Sequence, residues 1–214
     1  MLSKDLRRMV PAAAVVFALL GAAPAGAKEF AISLEGGWFD MTGARQSAKA
    51  VFDSSGGPTF GGTVRLGLGR GAWFVGAGAR YFSRDGERVF VADATGDVFR
   101  LGHPLSARVM PVYALVGYRF RTGKRLVPYV AAGPGYTIFR EESIVADIQE
   151  KNEKSVLSGH VAAGAEYGQG TVRFGAEVFY TVAPDSVGFG GVSKVYGEKD
   201  VGGLSFVAKV VFVP

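Results

Sequence analysis

The sequence predicts an all-β fold: an eight-stranded antiparallel up-and-down transmembrane β-barrel with short periplasmic turns and long extracellular loops. Three observations predict it. Apolar and polar residues alternate with a period of two in eight stretches. The connections between those stretches alternate long and short. Bulky aromatics gather at both ends of the apolar face of the strands.

The first segment has a different character. Lys4, Arg7 and Arg8 precede a small and apolar run from Met9 to Ala23, which ends at Pro24 and the small-residue site Ala25-Gly26-Ala27. A basic region, an apolar core and an A-x-A site make a cleavable export signal. The run is too short for a spanning helix, which takes roughly 20 apolar residues. Residues 1–27 are therefore expected to be removed, leaving 28–214 as a single barrel domain. Loss of Lys4, Asp5, Arg7 and Arg8 lowers the formal charge from +5 to +3.

The alternation places strands at about residues 29–40, 59–69, 73–84, 107–121, 125–139, 156–167, 171–182 and 201–213. Within Trp73 to Phe82, for example, Trp73, Val75, Ala77, Ala79 and Tyr81 share one face, and Phe74, Gly76, Gly78, Arg80 and Phe82 the other. Arg70-Gly71-Ala72, Arg121-Thr122-Gly123-Lys124 and Gly168-Gln169-Gly170 read as tight hairpin turns. The connections 41–58, 85–106, 140–155 and 183–200 read as long, polar loops, and no sustained 3.6-residue period is evident. Within the second, Glu87 to Leu101 alternates around Ala94-Thr95-Gly96-Asp97, so that hairpin is expected to continue beyond the membrane as an adhesive strand pair.

Aromatic placement decides which face meets lipid. Phe30, Trp73, Tyr118, Phe120, Tyr167 and Phe212 fall at the short-turn end of the apolar face. Trp38, Phe60, Tyr81, Tyr136 and Tyr180 fall at the long-loop end. Tyrosine and tryptophan suit headgroup depth, where one edge of the ring is wet. The eight-residue interval from Phe30 to Trp38 spans on the order of 20 Å of membrane normal at ~3.3 Å per residue and a ~40° tilt. Two such girdles have no use in a soluble core.

The opposite face then lines the lumen. It carries Glu35, Arg65, Arg80, Arg119, His160, Glu166, Arg173, Glu177 and Lys209, interspersed with glycines. An eight-stranded barrel has an interior just wide enough for its own side chains, so long arginines need small neighbours. Charges in a poorly hydrated lumen need partners. The expectation is a packed polar plug of Arg–Glu bridges rather than an open conduit.

Composition excludes several classes. Cysteine is absent, which removes a lipoprotein anchor, disulfides, thiolate metal sites and a cysteine nucleophile. The mature charge excess is too small, and too dispersed, for nucleic acid. Glycine is abundant without a G-X-Y period, so the chain is not collagenous. No cofactor or metal set is legible. Gly133-Pro134-Gly135 lies within a strand with no helix after it, so it is no phosphate loop. The acidic residues of the external loops read as solvated charge.

His160 is the most tempting catalytic residue, with Ser158 and Glu166 on its strand face. Residues i and i+2 on a strand lie about 7 Å apart, too far for a direct Ser–His bond without favourable rotamers, and Glu166 is about 20 Å away. The expected role of His160 is in a lumen polar network, and no residue is assigned to catalysis.

The block Val109 to Phe139 resembles the central hairpin of the small outer-membrane β-barrel superfamily of the OmpA, OmpX and OmpW kind. The elements that carry the likeness are Tyr118-Arg119-Phe120 before a short turn, Pro128-Tyr129 after it, and Gly133-Pro134-Gly135-Tyr136. The resemblance implies the outer membrane of a Gram-negative cell, contact with lipid and lipopolysaccharide, and insertion by the barrel-assembly machinery. It implies external loops that contact surface ligands; the chain itself is expected to be a monomer. The chain ends Val211-Phe212-Val213-Pro214, whereas the family usually ends on an aromatic residue. The reading expected is a non-enzymatic structural or adhesive barrel. Its alternatives are a narrow channel for small apolar molecules, on the OmpW side of the resemblance, and a lipid A-modifying enzyme.

Overall fold

The computed structural model describes residues 27–68, 72–92, 95–120, 124–145 and 148–214. The expected leader therefore lies outside the described residues apart from Ala27, as do most of the first two tight turns. Eight antiparallel strands close into a barrel in which each pairs with its sequence neighbours and the last returns to the first. They are β1 (Ala27–Asp40), β2 (Gly56–Leu68), β3 (Trp73–Val91), β4 (Val98–Arg119), β5 (Leu126–Val145), β6 (Ile148–Tyr167), β7 (Val172–Val182) and β8 (Gly203–Phe212). Closure runs from Ile32 opposite Phe212 to Asp40 opposite Leu204. A closed ring leaves no free edge at membrane depth, where unpaired backbone groups would cost several kcal/mol each.

The alternation sets the two faces. Phe60 and Tyr81 are cross-strand partners on the outer face, with ring centroids 5.3 Å apart. Trp73 and Tyr118 pair likewise at the opposite end, at 5.1 Å. Trp38, Phe120, Tyr136, Tyr167, Tyr180 and Phe212 are exposed on the outside, and Phe30 is half-buried there. All eleven girdle candidates thus face outward. In the third tight turn, Gly168 and Gly170 both take positive φ, which a side chain would strain.

The strand lengths depart from expectation. β3 to β6 run 19 to 22 residues, against 10 to 14 for the other four. Four strands therefore stand as a wall above one side of the barrel. β3 passes Tyr81 by ten residues, about 25 Å along the barrel axis at a 40° tilt. The β3–β4 extension matches the protruding hairpin expected from Glu87 to Leu101, with Phe90 directly opposite Phe99. The segment 140–155 is a correction: it is not a loop but the paired ends of β5 and β6, from Arg140 opposite Glu153 to Val145 opposite Ile148. Its charges sit on the strands as cross-strand ion pairs such as Arg140–Glu153, so polarity concealed the period.

Segments 41–58 and 183–200 are also more than loops. The first carries helix α1 (Arg45–Phe52) and the second the short helix α2 (Gly191–Val195). The missed signal in α1 is Ala44, Ala48 and Val51, at i, i+4 and i+7, all of them buried. Two turns are too few for a sustained period. Glu198, from the segment carrying α2, accepts hydrogen bonds from Gln46 N and Ser47 N at 2.8 and 2.9 Å, where the helix leaves its own amides unsatisfied. That carboxylate ties the two long connections together over the mouth.

Candidate functional site

The lumen is filled in layers. At the short-turn end, Glu29 accepts from Arg119 at 2.5 Å and Arg173 at 3.3 Å, with Arg65 3.7 Å away. Arg65 also makes a two-pronged pair with Glu166, its second hydrogen bond 2.9 Å long. Above this, Arg80 donates to Glu35 through Nε at 2.9 Å and Nη2 at 2.7 Å, and bonds Glu177 as well. Lys209 joins the same two carboxylates, at 3.1 Å from Glu35 and 2.9 Å from Glu177. Thr63 and Ser33 also donate to Glu35, and Tyr129 to Glu177, while Arg80 Nη1 is buried without a hydrogen-bond partner among the described residues. Every charge in this layer is both paired and hydrogen-bonded, the condition under which buried ions are tolerable.

Aromatic faces complete the cross-section. The Arg80 guanidinium lies 3.8 Å from the Phe179 ring centroid and 5.6 Å from Tyr113. Phe74, Tyr113, Leu115, Tyr129, Ala131, Ala162 and Phe179 form one buried cluster across the lumen. A second cluster lies nearer the long-loop end, where Phe39, Phe82, Val109, Phe139 and Val201 pack beneath Ala44 and Ala48. Among the described residues, one lumen void beside Ser33, Thr63, Tyr129 and Lys209 measures about 20 Å³, the space of a single water.

All nine lumen candidates therefore point inward, and eight belong to two stacked ion-pair clusters. The structure adds Glu29, which sequence reasoning passed over because it sits two residues beyond the expected cleavage site. Its parity with Glu35 on β1 was the available signal. With Glu29, four carboxylates face five cations.

His160 stands apart from the ion pairs, and its ring comes closer to Ser158 than the spacing of their backbone positions suggests. Its Nε2 lies 2.9 Å from Ser158 Oγ, a direct hydrogen bond. Gly135 makes this fit: a Cβ there would stand 2.6 Å from Nε2, so the ring folds into space that only glycine leaves open. Nδ1 meets Thr181 Oγ1 at 3.1 Å, and the ring stacks on Phe179 at 5.5 Å. The pair lacks the orienting carboxylate of a catalytic triad, since Glu166 is held by Arg65. Ser158 and His160 are both buried, so no substrate reaches them in this conformation.

The long-loop end is built differently. A cavity of about 420 Å³ lies between α1, α2 and the inner side of the strand wall. Its floor is apolar, formed by Ala107, Phe139 and Val201 below and Val51, Val89 and Leu105 at the sides. Its rim carries Arg88, Glu141, Glu150, Lys151 and Lys154. Burial pushes the Glu141 carboxyl above its ordinary range, against the opposing pull of nearby Arg88.

Comparison with known proteins agrees with this architecture. The model of the outer membrane protein beta-barrel domain matches residues 12–192. The chain belongs to that family. Its location is accordingly the outer membrane, and its long-loop end is the external one. A major outer membrane protein from Thermus thermophilus has a similar structure, at TM-score 0.57 and 12% identity, over 87% of this chain and 98% of that one. Neisserial surface protein A aligns at TM-score 0.51 and 10% identity, over 88% and 99% of the two chains. The N-terminal β-barrel domain of Pseudomonas aeruginosa OprF gives 0.51 and 15%, over the same shares. At these identities the likeness is one of fold. No curated protein matches the sequence.

Proposed function

We propose that this chain is a non-enzymatic outer-membrane barrel that works through its external end. The observation that carries the reading is the contrast along one axis. The lumen is occupied by mutually paired side chains, whereas four strands continue outward and enclose a cavity open to the exterior. A transport role through the barrel would need to break the Arg80–Glu35–Glu177 cluster, each member of which is buried. A lipid A-modifying role would need lipid to reach Ser158 and His160, which face away from it.

The wall also offers apolar surface in an aqueous setting. Phe90 and Phe99 are 58% and 53% exposed as cross-strand partners, with Leu101, Ile144 and Ile148 exposed nearby. Apolar groups concentrated on a protruding sheet suit contact with another surface. In the same reading residues 1–27 direct export and are removed, the aromatic girdles mark the two headgroup layers, and lipopolysaccharide is the immediate neighbour of the outer one.

The absence of cysteine permits a clean test. Phe90→Cys is expected to react with a membrane-impermeant maleimide on intact cells, and Lys124→Cys, at a short turn, only after lysis. Attachment of cells to a surface should fall when Phe90 and Phe99 are changed to serine with barrel yield unchanged. Labelling in the reverse pattern, or attachment that ignores both phenylalanines, would refute the surface reading. Lipid A of unchanged mass with and without the protein is the expected companion result.

A further inference from the structure

Among the described residues, one charged group at the mouth cavity lacks a hydrogen-bond or ion-pair partner. Each cation on its rim already has a partner. Arg88 donates to Glu150 at 2.7 Å, Lys151 lies 4.0 Å from Glu142, and Lys154 bonds the Asp185 carbonyl with its ammonium 3.5 Å from the Phe189 ring centroid. Glu141 differs. Among the described residues no hydrogen bond or ion pair reaches its carboxylate, although Arg88 lies near enough to act on it through space. It faces Ala107 across the β4–β5 ladder and points to the cavity side, between Phe139 and Ser143. A half-buried carboxylate without a donor is costly, and a buried polar group normally has a partner.

We propose that this cavity binds a small amphipathic amine from the external medium, its ammonium on Glu141 and its apolar body on Leu105, Val89 and Val51. Three features fit that class. The volume, about 420 Å³, accommodates roughly a dozen non-hydrogen atoms at the ~30 Å³ per water of the liquid, and lies in the range of small-molecule sites. The floor is apolar while the carboxylate stands to one side of it, so a ligand with one polar end is oriented. The rim cations are engaged, so an anion would meet Glu141 without gaining a free partner. Helix α1 forms one wall, and Glu198, holding its first turn, fixes the cavity shape before any ligand enters. The proposal uses the outward-working reading for access alone. A conducting lumen would overturn that reading and leave this site standing, and a failed titration would do the converse.

The experiment is a titration of the full-length barrel in detergent micelles with tryptamine, 3-ethylindole and indole-3-acetate, three probes of one shape that differ in charge. Tryptamine should bind one to one, at least tenfold more tightly than 3-ethylindole and more tightly still than indole-3-acetate. Glu141→Gln should lower tryptamine affinity at least tenfold and leave 3-ethylindole unchanged, which separates the charge contact from micelle partitioning. Ala48→Trp, which fills the cavity from α1, should abolish binding of all three. Val192→Trp does the same from α2 if the first variant fails the heat-dependent gel shift of a folded barrel. Tryptamine binding that ignores Glu141→Gln, or indole-3-acetate binding most tightly, would overturn the proposal.

Discussion

The two ends of one barrel axis treat charge in opposite ways. In the lumen, Arg80 reaches Glu35 and Glu177, Lys209 reaches both again, and hydroxyls of Thr63, Ser33 and Tyr129 donate to the same two carboxylates. In the mouth, Glu141 has an open cavity before it and no donor among the described residues. The fold teaches a division of labour. Strands inside the membrane converge on an interior just wide enough for its own side chains, so its charges are held by protein partners. Strands above the membrane diverge from that constraint and leave room for a ligand.

The comparison breaks most easily at Arg80. Arg80→Ala leaves Lys209 as the one cation between two buried carboxylates, and removing one partner of a buried pair costs about 3–5 kcal/mol. The urea midpoint of the micelle-bound barrel should fall accordingly, and a loss under about 1 kcal/mol would mean that the lumen is wet. Gly117→Ala probes packing rather than charge. A Cβ there would stand 2.2 Å from the Phe74 ring, so overpacking of about 1–3 kcal/mol is expected in the same assay. Ser158→Ala should cost only about 0.5–1.5 kcal/mol, the worth of one hydrogen bond, with lipid A unchanged.

The smallest effect is expected at the mouth and has the opposite sign. Because burial raises the Glu141 pKa in the folded state, ionising it opposes folding. Stability from this group is fully present at low pH and is lost as pH rises through the raised value. Glu141→Gln should therefore raise the thermal midpoint at neutral pH, and the gain should vanish below about pH 4, where the unfolded carboxyl is also protonated. A destabilised variant at neutral pH would show that Glu141 has a partner.

Much of the lumen was legible because strand parity is unforgiving: a one-residue shift would turn Arg65, Arg80 and Glu177 toward lipid. The girdles followed from the same parity. The wall was half legible. Glu87 to Leu101 alternates visibly, whereas Arg140 to Lys154 carries charge on both faces above the membrane and so shows no period. Helix α1 was concealed by its brevity, and the Ser158–His160 bond by a distance taken between backbone positions, when Gly135 decides where the ring lies. The mouth cavity was not legible at all. It depends on α1, α2 and the wall meeting across separations of some hundred and fifty residues, as in the Glu198 contact to Ser47.

Ion conductance of the purified, refolded barrel in a planar bilayer reports directly on whether the lumen is closed. A lumen closed by the Arg80–Glu35–Glu177–Lys209 cluster predicts no stable single-channel steps for the native chain. Steady ohmic steps from the native chain would contradict the closed lumen and return the protein to the channel reading.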